Sequence, residues 1–140
     1  MKKLFKSALF IIISCICIIS LVSCGKGIKR DEAKSLINDF FAAIVDEDYD
    51  KAEGLLHPER PADLEGFLLD IEKDEDIDFQ AGIKIERYTG FSSSLYDSTV
   101  DGSTYELTMR TKVGDDKVIF TIEIVKNENG YGIYNLDIDT

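Results

Sequence analysis

The sequence predicts an α+β domain, in which N-terminal helices pack on one face of an antiparallel sheet of about four strands. Two changes of pattern along the chain support this prediction. Apolar residues first recur every three or four positions, as in amphipathic helices, and after Tyr105 they recur every second position, as in half-buried strands. The 140 residues are 44% hydrophobic and 31% charged, which favours one globular domain over a disordered or fibrous chain.

The first 23 residues are typical of a secretory signal peptide. Lysines within the first six residues precede an apolar run, Ala8–Val22, which is shorter than the roughly 20 residues of a membrane-spanning helix. The run ends in the segment Leu21, Val22, Ser23, Cys24. This segment resembles the lipobox of bacterial lipoproteins, which implies cleavage before Cys24, a lipid on its thiol, and anchoring at the extracytoplasmic face of the cell membrane. The alternative is an uncleaved anchor helix.

This interpretation divides the chain into a signal peptide (1–23), a lipidated tether (24–30) and one α+β domain (31–140). Cys15 and Cys17 lie in the signal peptide and Cys24 carries the lipid, so no thiol remains for a disulfide or a zinc site. Residues 31–140 hold 10 basic and 27 acidic residues, a charge of −17. That charge disfavours nucleic acid as a partner. Two interpretations remain: the charge keeps the domain soluble, or it attracts a basic protein or peptide.

Three helices are predicted in the first half of the domain. The first has an apolar stripe and Asp31 as its N-cap; the stripe consists of Ala33, Leu36, Ile37, Phe40, Phe41 and Ile44. The second is expected at Tyr49–Leu56, ending at His57-Pro58, and the third begins at Pro61. The acidic stretch Asp70–Asp78 is interpreted as a solvated loop.

The second half is predicted to form strands joined mainly by short turns. The expected strands are Ile83–Phe91, Tyr105–Val113, Val118–Lys126 and Tyr131–Ile138. A Ser-rich loop, Ser92–Ser98, follows the first of them. Gly114–Lys117 and Asn129-Gly130 supply the two later turns. The Phe40/Phe41 stripe is the expected partner for one face of this sheet.

Three short segments carry a family resemblance. Phe40-Phe41-Ala42-Ala43, Asp48-Tyr49-Asp50-Lys51-Ala52 and Leu55-Leu56-His57-Pro58 resemble the opening of nuclear transport factor 2-like domains, with the likeness extending over residues 31–139. The resemblance implies a curved antiparallel sheet wrapped as a cone on the long first helix, sometimes around a pocket. Such domains include isomerases and dehydratases as well as many binding modules, so the fold does not decide the function.

The catalytic signals are weak. Enzymes of that superfamily use an inward Asp base, which needs an apolar pocket to raise its pKa, whereas Asp46, Asp48 and Asp50 are expected at solvated helix ends. His57 is interpreted as a helix terminator with an exposed ring. No residue matches a catalytic motif and no cofactor is implied.

Two acidic series also suggest calcium ligands but fail the EF-hand pattern. Asp46/Asp48/Asp50 and Asp74/Asp76/Asp78 have the alternation of such a loop. Each lacks the glycine and the glutamate that an EF-hand needs at its sixth and twelfth positions. We therefore expect no metal site.

The expected function is non-catalytic binding of a protein, peptide or small ligand at the cell envelope. The candidate contacts are Tyr49, His57, Tyr96 and Tyr134. One alternative is an isomerase- or dehydratase-like enzyme with an Asp inside the cone. Another is an inhibitor of, or immunity protein against, a basic envelope-active enzyme. A pocket holding one Asp would favour the enzyme, and a filled sheet face would favour interaction.

Overall fold

A computed structural model describes residues 27–140, in which helices precede a four-stranded sheet. The helices are α1 (Arg30–Val45), α2 (Tyr49–Glu53) and α3 (Leu64–Glu75), followed by a 3-10 turn at Phe79–Ala81. The strands are β1 (Ile83–Asp97), β2 (Gly102–Val113), β3 (Asp116–Asn127) and β4 (Gly130–Asp139). They lie in the order β1-β2-β3-β4, and all neighbours are antiparallel. The predicted α+β class, with helices first and then an antiparallel sheet, is confirmed.

The predicted lipobox, Leu21, Val22, Ser23 and Cys24, lies outside the described residues. Within residues 27–140, no helix is long and apolar enough to cross a membrane.

The core lies between α1 and the inner face of the sheet, the face that the helices cover. The whole predicted stripe of α1 is buried. The Phe41 ring packs on Phe120 of β3, with ring centroids 4.8 Å apart, and Phe79 approaches the same ring at 6.3 Å. Side chains of β2 alternate between buried and less buried positions from Ser103 to Val113, as predicted. Burial of these apolar surfaces is the main favourable term in folding.

Several helix boundaries differ from the prediction. Lys29, not Asp31, precedes the first turn of α1, and its backbone N–H donates to the Glu32 carboxylate at 3.4 Å. Helix α3 begins at Leu64 instead of Pro61, because the Asp63 side chain caps it by accepting from the Gly66 N–H at 2.9 Å. The predicted acidic loop is wrong over Asp70–Glu75, which form the last turns of α3, whereas residues 76–78 lie between this helix and the 3-10 turn.

Strand β1 is longer than predicted. Ser92, Ser93 and Ser94 pair with β2 instead of forming a loop, because cross-strand pairing overrides the low strand propensity of serine. The hairpin between β2 and β3 has a shorter turn than the predicted Gly114–Lys117, since only Gly114 and Asp115 separate the two strands.

A short segment after α2 extends the sheet beyond β4. The Ile133 N–H donates to the Leu55 carbonyl at 3.0 Å, and the His57 N–H donates to the Ile133 carbonyl at 2.7 Å. This pairing explains why α2 ends at Glu53 and not at Leu56. It requires glycine at position 132, where a Cβ would lie 2.6 Å from the His57 backbone nitrogen.

Candidate binding groove

His57 is fully buried, so the prediction of an exposed ring is wrong. Its Nδ1 accepts from the Glu59 backbone N–H at 3.1 Å. The ring proton therefore lies on Nε2, which donates to Asn127 Oδ1 at 3.1 Å. Because both ring nitrogens are engaged, His57 is a structural residue that fixes the chain after α2.

Asn127 joins three loops through its side chain. Its Oδ1 also accepts from the backbone N–H groups of Asn129 and Gly130, at 3.0 and 3.1 Å. Its Nδ2 donates to Glu59 Oε2 at 2.8 Å and to the Val100 carbonyl at 3.2 Å. These bonds hold the His57–Arg60 loop against the ends of β3 and β4.

Glu59 gives this network a dependence on pH. Hydrogen bonds donated by the Asn127 and Asn129 side chains favour the carboxylate and lower the pKa of Glu59. A lowered pKa in the folded state stabilises the protein above the ordinary glutamate pKa, and this stability is lost as the pH falls through the folded value. We therefore expect wild type to be more stable than Glu59→Gln at pH 7, with the difference decreasing as the pH falls below the ordinary glutamate pKa of about 4.3. Urea unfolding of both proteins across this pH range measures the difference in the free energy of unfolding. A difference that does not change with pH would contradict this role of Glu59.

A groove of about 250 Å³ lies beside this loop, between α3 and β4. Its apolar wall consists of Leu56, Pro61, Ala62, Leu64, Phe67, Ile133 and Leu136, and its polar groups are Arg60, Tyr134 and Asn135. Phe67 remains 41% exposed. An apolar concavity with a few polar groups is the usual form of a binding site. We call it the β4 groove.

Tyr134 occupies the polar end of the β4 groove. The Arg60 guanidinium lies 4.6 Å from the centre of its ring, and the buried His57 ring packs edge-on against it at 5.6 Å. These contacts fix the tyrosine. Within residues 27–140, Arg60 forms no ion pair, so its charge is available to a ligand.

Acidic side chains lie on the two elements that flank the groove, although none of them is among its lining residues. Asp70 and Asp74 follow Phe67 at helical spacing on α3, and Asp137 and Asp139 lie on β4. At the far end, the Thr140 hydroxyl donates to Glu75 Oε2 at 2.9 Å, which holds the end of β4 against the end of α3. The apolar floor, in a domain with a charge of −17 over residues 31–140, suits an apolar segment that carries basic residues.

Tyr49 lies apart from the β4 groove, in an acidic depression with Glu47, Asp48, Asp50 and Glu65. Burial, and then the charges of Glu72, Glu47 and Glu65, raise the pKa of Tyr49. Among the four predicted contacts, the structure thus brings together only His57 and Tyr134. Tyr96 lies on β1, and its side chain is outside the described part.

The buried polar side chains of the described residues include no carboxylate that could act as a base. They are His57, Ser103 and Thr111. Asp46, Asp48 and Asp50 are exposed. Residues 27–140 also contain no group of three or more His, Cys, Asp or Glu side chains that could hold a metal. The inner face of the sheet is filled with apolar side chains instead.

Arg60, Phe67, Asn135 and Leu136 were not predicted as site residues from the sequence. Phe67 has the helical spacing of an apolar face on α3, and periodicity cannot separate a groove residue from its core neighbour Leu68. Arg60 follows Pro58 in an irregular segment and carries no sequence signal. The Asn129-Gly130 turn was predicted, but the role of Asn127 depends on His57, which lies 70 positions away.

Comparison with known proteins finds no matching family, no matching curated protein and no matching solved structure. The function of the β4 groove is therefore argued from the chemistry of its own residues.

Proposed function

We propose that this protein is a lipid-anchored lipoprotein of the cell envelope that binds an extended segment of a partner protein or peptide in the β4 groove, without catalysis. In this proposal Cys24 carries the lipid, and the domain has the cone-like form of nuclear transport factor 2-like proteins. The partner segment contributes apolar side chains and basic residues.

One observation carries the proposal: the apolar groove coincides with an open edge of the sheet. Among described residues, β4 has β3 on one side, and its other side pairs with a single bridge at Ile133. The strand continues past this bridge to Asp139, and its residues 134–136 line the groove. An edge strand beside apolar pockets can accept an extended peptide as an added strand, with backbone hydrogen bonds for affinity and side-chain pockets for specificity.

Charge supports a basic partner. The domain has a charge of −17 over residues 31–140, and the two elements that flank the groove, α3 and β4, both carry exposed acidic side chains. Such a field accelerates the encounter with cations and falls off over about 8–10 Å at physiological salt. Arg60, at the other end of the groove, would instead receive a carboxylate or carbonyl of the bound segment.

The irregularities of the sheet support a cone-like form. The register of β1 against β2 shifts at three places, after Ile85, Tyr88 and Ser94, and the register of β3 against β4 shifts after Glu123. Bulges of this kind bend strands and increase their twist. Strong curvature in β1 would wrap its edge around α1, as the family resemblance implies.

Selection of short random peptides displayed on phage against the immobilised protein tests the binding function. We expect enriched peptides to combine aromatic or aliphatic residues with Lys or Arg. Phe67→Asp should weaken their binding by at least tenfold, because it places a charge in the apolar floor of the groove. Calorimetric titration of each variant with one enriched peptide, called the selected peptide below, measures the change.

Leu69→Asp is the matched control. Leu69 also lies on α3 and is 47% exposed, but it does not line the β4 groove. Its substitution should leave the affinity unchanged. Equal effects of the two substitutions, or no enrichment of any peptide, would contradict the proposed function.

A further inference from the structure

The second half of β1 carries the two most exposed large apolar side chains among the described residues. Phe91 is 74% exposed and Leu95 is 63% exposed. Phe91 pairs with the buried Leu107, so it lies on the inner face of the sheet, and Leu95 follows four positions later in the same strand. Helix α1 leaves this part of the inner face uncovered.

The N-terminal end of the described chain lies against this same region. A Cβ on Gly27 would be 2.6 Å from Leu95 Cδ2. Farther along, the Lys34 ammonium lies 4.4 Å from the centre of the Tyr88 ring, and Tyr88 is the next inner-face residue before Phe91. The segment from Gly27 to Lys34 therefore runs beside Phe91 and Leu95.

This segment is basic in an otherwise acidic domain. Lys29 and Arg30 are exposed and Lys34 is partly exposed, and Lys26 precedes them in the sequence. The acidic residues here are Asp31 and Glu32, and Glu32 is paired with Lys126 at 3.8 Å. Exposed apolar side chains beside cations suit the headgroup region of an anionic bilayer.

We propose that Phe91, Leu95, Lys29, Arg30 and Lys34 form a membrane-facing patch that rests on the anionic surface of the bilayer, with the two apolar side chains among the lipid headgroups. This inference rests on the proposed lipidation of Cys24. Three residues from Cys24 to Gly27 span at most about 11 Å, so the anchor holds Leu95 close to the headgroups. Contact with lipid would also cover an exposed apolar edge strand, which otherwise invites aggregation.

A tryptophan reporter tests this patch directly, because the chain contains no tryptophan. The full-length lipidated protein is reconstituted into vesicles of phosphatidylcholine and phosphatidylglycerol with brominated acyl chains, which quench tryptophan at short range. The variants are Phe91→Trp, Leu95→Trp and, as a control at another exposed apolar side chain, Leu69→Trp on α3, where Leu69 is 47% exposed. We expect the reporters at positions 91 and 95 to be blue-shifted and quenched at least twofold more than the control. Vesicles of phosphatidylcholine alone should reduce the difference.

The possible outcomes separate the patch from the anchor. Vesicle flotation of wild type with loss of flotation in Cys24→Ala supports the anchor. Stronger quenching at positions 91 and 95 than at position 69 then supports the membrane-facing patch. Equal quenching at positions 69, 91 and 95 in a protein that floats overturns the patch alone. A blue shift without quenching also overturns it, since a second copy of the chain or the residues before Gly27 would then cover Phe91 and Leu95. A wild-type chain that does not float overturns both proposals.

Discussion

Replacement of Phe41 by alanine is expected to lower the free energy of unfolding by about 3–5 kcal/mol. The Phe41 side chain is buried between α1 and the sheet, and its ring packs on Phe120 at 4.8 Å. Truncation removes this apolar contact and leaves a cavity that the rigid sheet cannot close. The loss is a large share of the roughly 5–15 kcal/mol that stabilises a domain of this size. Urea denaturation monitored by circular dichroism measures this loss of unfolding free energy.

Phe91→Ala is the control for this measurement. It removes the same atoms from a side chain that is 74% exposed, so the change should stay within about 0.5 kcal/mol. A loss in Phe41→Ala as small as that expected for Phe91→Ala would contradict the packing of α1 on the sheet. A loss in Phe91→Ala as large as that expected for Phe41→Ala would instead place Phe91 in a buried environment.

Replacement of Gly132 by alanine is expected to destabilise the protein by about 3–5 kcal/mol and to abolish peptide binding. The new Cβ would lie 2.6 Å from the His57 nitrogen and 2.7 Å from the Leu56 carbonyl carbon. Backbone atoms cannot yield at such distances without breaking the two hydrogen bonds of Ile133, each contributing about 1 kcal/mol, and overpacking costs about 1–3 kcal/mol more. Leu56, part of the groove wall, would move with the segment. Urea unfolding and titration with the selected peptide measure the two effects.

Gly90→Ala is the matched control, since Gly90 lies in β1 and its nearest contact to an added Cβ is 3.5 Å, to a Thr108 side-chain atom. This change should be neutral or slightly stabilising, because glycine is unfavourable within a strand. If Gly132→Ala behaved like Gly90→Ala, the pairing of the Leu55–His57 segment with β4 would be refuted.

The elements that could be predicted from sequence are those whose pattern is local. The α1 stripe and the alternation of β2 are set by residues that lie within a few positions of one another, and both are present as expected. Ser92–Ser94 were misassigned because serine propensity is weak, and pairing with β2 decides their conformation. Pro61 was expected to open α3, whereas the hydrogen bond of Asp63 to the Gly66 N–H determines where that helix begins.

The β4 groove could not be predicted in the same way, because its walls are distant in sequence. Phe67 and Leu136 belong to different elements, and only the packing of α3 beside β4 brings them together. The burial of His57 has the same origin, since Asn127 reaches it from the end of β3. Tyr134 was a predicted contact and does line the groove. No pattern among neighbouring residues in the sequence indicates that the Arg60 guanidinium lies over the Tyr134 ring.

Hydrogen exchange of the full chain with and without the selected peptide tests the central claim, that the free edge of β4 receives an extended segment. We expect slower exchange for the backbone amides in 134–139 that point away from β3, and for the first turn of α3. The free edge of β1 and the surroundings of Tyr49 should exchange at unchanged rates. Protection confined to the Tyr49 depression or to β1, with β4 unaffected, would contradict the proposed binding site.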